Sequence, residues 1–387
     1  MSRKKLEEIY FHALNKVKAG SIIKDNISLK KDIVKIVDKK YNLNNFSNLY
    51  IYGIGKAAFA MAKECESILG DKISDGLIIS TSKGDLKYLK HFTSTHPIVS
   101  KKSEEAANLL LEKIKKQKED GLFIFLLSGG ASAMVEKPID GISLNDFSKI
   151  SRALLTSGID IKALNSIRKS ISEIKGGKLA NYFKCDGEVL VLSDVIGDDL
   201  NTIGSAPMLN GKFEHHIIGN NKIALKEAKK FIKKDVEKVK IITTSLDKTS
   251  KKASLYITKK IKQYDEKYDS FCLLFAGETT TKVKADGIGG RNQELALRLL
   301  IENRPNKNIS ILCAGSDGID GNSDSTGAFV DYKIYEKIKE SKLNPRKYLK
   351  NSDSNSFFKE LGYDFTIGIT GTNVMDFIIV LKDKNNG

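Results

Sequence analysis

An α/β protein of two domains is what this sequence predicts, and three observations lead there. Apolar runs too short for helices, at residues 122–127, 189–192, 271–275 and 309–314, are bounded by polar residues, as strands buried on both faces are. Amphipathic stretches of helical length, such as 103–118 and 222–234, stand between such runs, and that alternation builds sheets covered by helices. Strand after strand then ends in Gly, Ser or Thr followed by a charged group, which directs function to the carboxyl edge of a sheet, where ligands collect in open α/β folds. A chain of 387 residues holds two ordinary domains, and the boundary is expected near Val236, giving 1–235 and 236–387.

Composition removes several function classes. Hydrophobic residues at 41% and charged residues at 29% fit a soluble globular chain. No run approaches eighteen consecutive apolar residues, and the first twenty alternate charge and apolar groups like an amphipathic helix, so a cytoplasmic protein without a membrane partner is expected. Cys65, Cys185, Cys272 and Cys313 lie far apart, which excludes a zinc knuckle or a disulfide framework and leaves them as small buried groups. The net charge of +16 invites nucleic acid, but the excess is lysine scattered along helices, with no basic stripe interleaved with aromatics, so no nucleic-acid partner is expected. With seven arginines in all, an Arg inside a glycine-rich motif carries weight. The oligomeric state stays open, a homodimer being one option.

Taken in order, a strand at 48–52 leads into GIGKAA at 53–58 and a helix at 59–69. Gly53 and Gly55 in that setting let a backbone approach a phosphate at a helix N-terminus, and Lys56 suits an anion. A dinucleotide would want an acid ending the second strand, but 76–80 ends in Ser80, Thr81 and Ser82; tight packing is the remaining alternative. His96 in a polar turn reads as a satisfied loop residue in preference to a catalyst. After the strand at 122–127, Ser128, Gly129, Gly130 and Ser132 form a second loop able to cradle phosphate, and the chain has no Walker A motif. Arg168 and Lys175, seven apart, would share one face of a helix and hold a carboxylate or phosphate, or else make a structural ion pair.

The strand at 189–192 stops in acid. Asp194, Asp198 and Asp199 repel one another unless a cation, a metal or a proton compensates them; the alternative is a solvated acidic turn. In the second half, Glu278 follows the strand at 271–275. Gly290, Arg291 and Asn292 open a helix where backbone donors, a guanidinium and an amide would converge. Asp317 begins a polar loop that lacks the Glu of an EF-hand, and Asn373 precedes the last strand at 377–381.

Eight stretches in this order, GIGKAA at 53–58, LLSGGASA at 126–133, SIRKSISEIKGGKLA at 166–180, SDVIGDDL at 193–200, AGETT at 276–280, GGRNQELAL at 289–297, GSDGIDG at 315–321 and TGTNVMD at 370–376, resemble the glycerate 2-kinases of the MOFRL type over nearly the whole chain. The resemblance implies an N-terminal Rossmann-like doubly wound sheet, a C-terminal MOFRL-type α/β domain and an active-site cleft between them. It also implies phosphorylation of the 2-hydroxyl of D-glycerate with ATP and Mg²⁺. Members have been labelled hydroxypyruvate reductases, which supplies the alternative, an NAD(P)H-dependent activity. On the matching motifs, Lys56 and Asp194 fall where the family has its candidate catalytic pair. Asp194 could take the glycerate proton or hold Mg²⁺, and Arg168 or Arg291 would pair with the glycerate carboxylate. Three turns depart from the family pattern, SAPM at 205–208 for S-G-P-T, GITGTN at 368–373 for G-P-T-G-T-N, and SGGAS at 128–132 for S-G-G-G-S, which bears on substrate affinity.

Overall fold

A computed structural model describes residues 2–157, 161–303 and 307–384. The chain divides into two compact units, Ala19–Gly219 and a discontinuous one made of Met1–Lys18 with Asn220–Gly387. Helix α1 (Ser2–Lys16) belongs to the discontinuous unit.

The continuous unit starts with α2 (Ala19–Asn26) and a small antiparallel sheet, β1 (Ile27–Lys30), β2 (Ile33–Ile36) and β3 (Lys39–Asn42), which no pattern in the sequence announced. Lys39 and Tyr41 of β3 both bond the buried carboxylate of Glu188. There follow β4 (Leu49–Ile54), α3 (Ala58–Leu69), β5 (Ile73–Ser80), β6 (Lys90–Thr93), α4 (Lys101–Lys115), β7 (Leu122–Ser128), α5 (Ala131–Met134), α6 (Leu144–Thr156), α7 (Ile161–Ser170), β8 (Asp186–Leu192) and β9 (Glu214–Gly219). The six strands β6-β5-β4-β7-β8-β9 pair in parallel throughout. Counted within the sheet that order is 3-2-1-4-5-6, the doubly wound arrangement, and its switch point lies between β4 and β7.

Alternation along the strands explains the two covered faces. Tyr50, Tyr52, Ile54, Phe123, Phe125, Val189 and Val191 join one apolar cluster with Ala106, Leu110 and Ile114 of α4, while α3 packs against β4, β5 and β7. Helix α4 starts at a capping box in which Ser100 and Ser103 satisfy each other's backbone N–H.

The discontinuous unit continues with α8 (Asn221–Ile232), β10 (Lys238–Leu246), α9 (Ser250–Asp265), β11 (Phe271–Gly277), α10 (Arg291–Asn303), β12 (Ile309–Gly315), β13 (Gly327–Val330), α11 (Ile334–Ser341), α12 (Pro345–Lys350), α13 (Ser354–Leu361), β14 (Asp364–Phe365) and β15 (Asp376–Lys382). Its sheet runs β10-β11-β15-β12-β13-β14, and only β10 and β11 are parallel. The chain therefore passes between units after Gly219, sixteen residues before the expected boundary after residue 235. The reason is α8, whose buried face of Ala224, Leu225, Ala228 and Ile232 packs with α1, β10 and β11.

All four cysteines are free and buried. Among the described residues no helix is long and apolar enough to cross a membrane.

Candidate functional site

At the switch point the loop after β4 and the loop after β7 are tied together. The Ala57 N–H donates to Ser128 Oγ at 3.1 Å, and the Lys56 N–H donates to the Gly129 carbonyl at 3.0 Å. Gly55 makes the approach possible: its φ is +132°, and a β-carbon there would lie 2.2 Å from Ser128 Oγ. Gly53 sits inside β4, where a β-carbon would touch Ile78 and Leu126, so its role is packing between strands and not ligand approach.

Three side chains converge on Gly129 and Gly130. A β-carbon on Gly129 would lie 1.7 Å from Asp194 Oδ2, and one on Gly130 would lie 2.9 Å from His96 Cδ2 and 3.2 Å from Lys56 Cγ. Lys56 is exposed while Asp194 is half-buried. Burial raises the Asp194 carboxyl above its ordinary value, and the Lys56 cation opposes that rise. Of the other two acids, Asp199 accepts hydrogen bonds from Asn201 and Thr202, which lower its pKa and mark a local turn. Asp198, immediately before it, has a φ of +57° in a short 3₁₀ turn.

Beside this cluster lies a cavity of 390 Å³ lined by residues that include His96, Ile98, Gly130, Ser132, Phe147, Arg168 and Lys175. Ser132 Oγ meets Ser205 Oγ at 2.7 Å. The expected shared helical face for Arg168 and Lys175 does not occur, because α7 ends at Ser170 and Gly176 and Gly177 turn the chain at positive φ. Lys175 is instead buried against Glu136, with further bonds to the carbonyls of Ser132 and Val135, so it is the structural ion pair of the two readings. Arg168 is held only by a long 3.4 Å contact to Ser151 Oγ, and among the described residues no carboxylate pairs with it.

The second group of candidates belongs to the other unit. Arg291 makes a bidentate pair with Asp376, at 2.6 and 3.0 Å, and a further 2.7 Å contact with Glu278. Both Asn292 and Gln293 direct their N–H groups to Asp320, whose carboxylate also takes the Asn292 amide and would contact any β-carbon on Gly290. The expected donors at Arg291 and Asn292 are thus occupied by the protein's own acids, and a local motif does not report the partners Asp320 and Asp376, 28 and 85 residues away. Asp317 Oδ1 accepts the Ile319 N–H, and Asn373 Oδ1 accepts the Met375 N–H, so both begin local turns. Glu278, Gly290 and Arg291 line a separate cavity of 470 Å³ together with Thr279, Gly289 and Asn322.

His96, read from the sequence as a satisfied loop residue in preference to a catalyst, instead lines this cavity; it follows β6 of the same sheet by three residues, and β6 is too short and irregular to stand out in the sequence. For a dinucleotide, the acid expected at the end of β5 is absent. Ser80 Oγ there meets His91, and Asp75 at the other end is paired with Lys113, which leaves no support for a reductase site.

A doubly wound sheet with a lysine and a carboxylate over glycine-rich loops at its switch point defines the class, an α/β phosphotransferase. Comparison with known proteins agrees. Residues 5–217 match a domain described as of unknown function, DUF4147, and residues 271–376 match the MOFRL family. D-glycerate 2-kinase of Thermotoga maritima is 33% identical, with 92% of this chain and 99% of that protein aligned. Glycerate 2-kinase of Pyrococcus horikoshii is 30% identical over 93% of each. A crystal structure of glycerate kinase from Thermotoga maritima superposes with a TM-score of 0.88 at 32% identity, covering 98% of this chain and 99% of that one. The chain belongs to the MOFRL-type glycerate 2-kinase family.

Proposed function

We propose that this protein transfers the γ-phosphoryl group of ATP to the 2-hydroxyl of D-glycerate, giving 2-phospho-D-glycerate and ADP. The observation that carries the reading is the meeting of Lys56 and Asp194 over Gly129 and Gly130, beside a cavity that also holds Arg168.

Phosphoryl transfer asks a protein mainly for positioning and for neutralisation of charge on the transferred group. Arg168, which no carboxylate pairs with among the described residues, pairs with the glycerate carboxylate and presents the 2-hydroxyl to Asp194. Asp194 accepts the hydroxyl proton as the new O–P bond forms and the bond to the β-phosphate oxygen breaks, releasing ADP. Its raised proton affinity suits a base better than an exposed carboxylate would. Lys56, exposed at the loop, offsets the charge on the transferred oxygens, and the glycine-rich loop offers close backbone approach.

Mg²⁺ in nucleotide enzymes is held by one or two carboxylates with phosphate and water completing the shell, and Asp194, half-buried over Gly129, is the carboxylate of this cluster that would supply that donor if it does not serve as the base. When bound it would neutralise charge on the β- and γ-phosphates. The structural ion pair of Arg291 with Asp376 and Glu278 favours Arg168 over Arg291 as the carboxylate ligand.

The test is a coupled ADP assay with D-glycerate, run with and without Mg²⁺, followed by enolase acting directly on the product. ADP formed only with glycerate, and product consumed without a mutase, are the expected results. A requirement for mutase would place the phosphate on carbon 3 instead, and NADH oxidation with hydroxypyruvate in place of ADP formation would refute the kinase reading.

A further inference from the structure

Of the five histidines, His96 alone among the described residues has neither a hydrogen-bond partner nor an aromatic stack. His91 bonds Ser80 and the Gly84 carbonyl, His215 the Phe213 carbonyl and His216 the Glu188 carboxylate, while His12 lies flat on Phe231 with ring centroids 3.8 Å apart. A half-buried ring in a cavity wall, with neither nitrogen taken by a described protein group, is available to a partner that arrives from outside the protein. The ring lies against Gly130 by its Cδ2–Nε2 edge, next to the stem of Lys56, and it lines the same cavity as Arg168.

Carbon 2 of glycerate carries, besides hydrogen, three groups: the reacting hydroxyl, the carboxylate and a hydroxymethyl arm. Lys56 with Asp194 and the guanidinium of Arg168 account for the first two. We infer that His96 is a positioning residue that hydrogen-bonds the 3-hydroxyl of the substrate, so that the enzyme selects 2-hydroxy acids bearing a second hydroxyl and presents the 2-hydroxyl for transfer. This rests on the kinase reading above. Burial and the nearby Lys56 cation hold the imidazole below its ordinary pKa, which keeps it neutral near pH 7 with one donor and one acceptor, the pair a hydroxyl can use. Ile98 and Val99 beside it are apolar, and of the hydroxyls in the same lining Ser132 bonds Ser205 and Ser151 bonds Arg168.

The experiment compares kcat/KM for D-glycerate and for D-lactate, which lacks only the 3-hydroxyl, in wild type, His96→Leu and His96→Gln. The wild type should prefer glycerate, and His96→Leu should lose about tenfold of that preference through glycerate, with lactate little changed, since a neutral hydrogen bond is worth about a factor of ten. His96→Gln, whose amide nitrogen reaches the place of Nε2, should recover part of it. An equal fall for both substrates in His96→Leu and His96→Gln, or an unchanged preference in folded His96→Leu, overturns the assignment. Absence of glycerate-dependent ADP in the wild type would instead refute the kinase reading, so the two failures are distinguishable.

Discussion

Asp194 combines partial burial with a nearby ammonium, that of Lys56, which remains exposed. The first raises its proton affinity and the second restrains that rise, which leaves a group able to exchange a proton with a bound hydroxyl. Asp194→Asn keeps the size of the side chain over Gly129 and removes the charge and the basic site. The rate should fall about 10²- to 10⁴-fold, the range of a positioned acid–base group, with the half-saturating Mg²⁺ concentration unchanged. A rise in that concentration, with rate restored by excess Mg²⁺, would identify Asp194 as a metal ligand instead. At this scale the candidate pair Lys56 and Asp194 was visible from motifs at strand ends, but His96 and the commitments of Arg291 and Lys175 were not. Their partners, Asp376 and Glu136, stand 85 and 39 residues away, and no local pattern reports such a pairing.

Helix α10 shows how an element can look like a ligand site and serve its own fold. Its first N–H groups and its positive dipole end would attract an anion, and the chain supplies one internally in Asp320, which is buried and accepts from Asn292 and Gln293. Burial pushes the Asp320 carboxyl up to about 7, against the lowering effect of those N–H groups. A carboxyl with raised folded-state pKa binds its proton more tightly on folding. Its contribution to stability is therefore fully present below the ordinary carboxylate value near 4 and is lost as pH rises through about 7. Asp320→Asn is permanently neutral and lacks this dependence. Thermal unfolding of wild type and variant across pH 4 to 8 should show the wild type losing stability relative to Asp320→Asn between about 4 and 7, and parallel curves would contradict the assignment.

For the whole molecule the consequential fact is that one unit is discontinuous, with α1 packed on a sheet built more than two hundred residues later. Leu6, Ile9, Tyr10, Ala13, Leu14 and Val17 are at most 1% exposed, and the Tyr10 hydroxyl donates to the Gly315 carbonyl at 2.6 Å. Each large apolar side chain buried stabilises by about 1.5–3 kcal/mol, while a folded domain has only about 5–15 kcal/mol in total. Deleting residues 1–18 should therefore abolish cooperative unfolding of that unit. Circular dichroism melting of the truncated chain would show the loss, and a transition of wild-type midpoint and amplitude would disprove it.

Periodicity along the chain carried the parallel strands β4, β5, β7 and β8, the helices between them and the buried strands of the second unit, because a strand covered on both faces must be apolar throughout. The short or half-exposed strands β1, β2, β3, β6, β9 and β13 escaped it, as their residues alternate too briefly or irregularly to stand out from loops. The glycine-rich strand ends, and with them Lys56 and Asp194, were equally legible, since a turn that brings backbone to ligand has a local composition. Which cations stay available to a ligand, where the chain leaves one unit for the other, and that an amphipathic N-terminal helix closes the unit containing the last strand were decided only by tertiary contact. Charges pair and apolar faces pack by proximity in space, and neither leaves a mark on neighbouring positions in the chain.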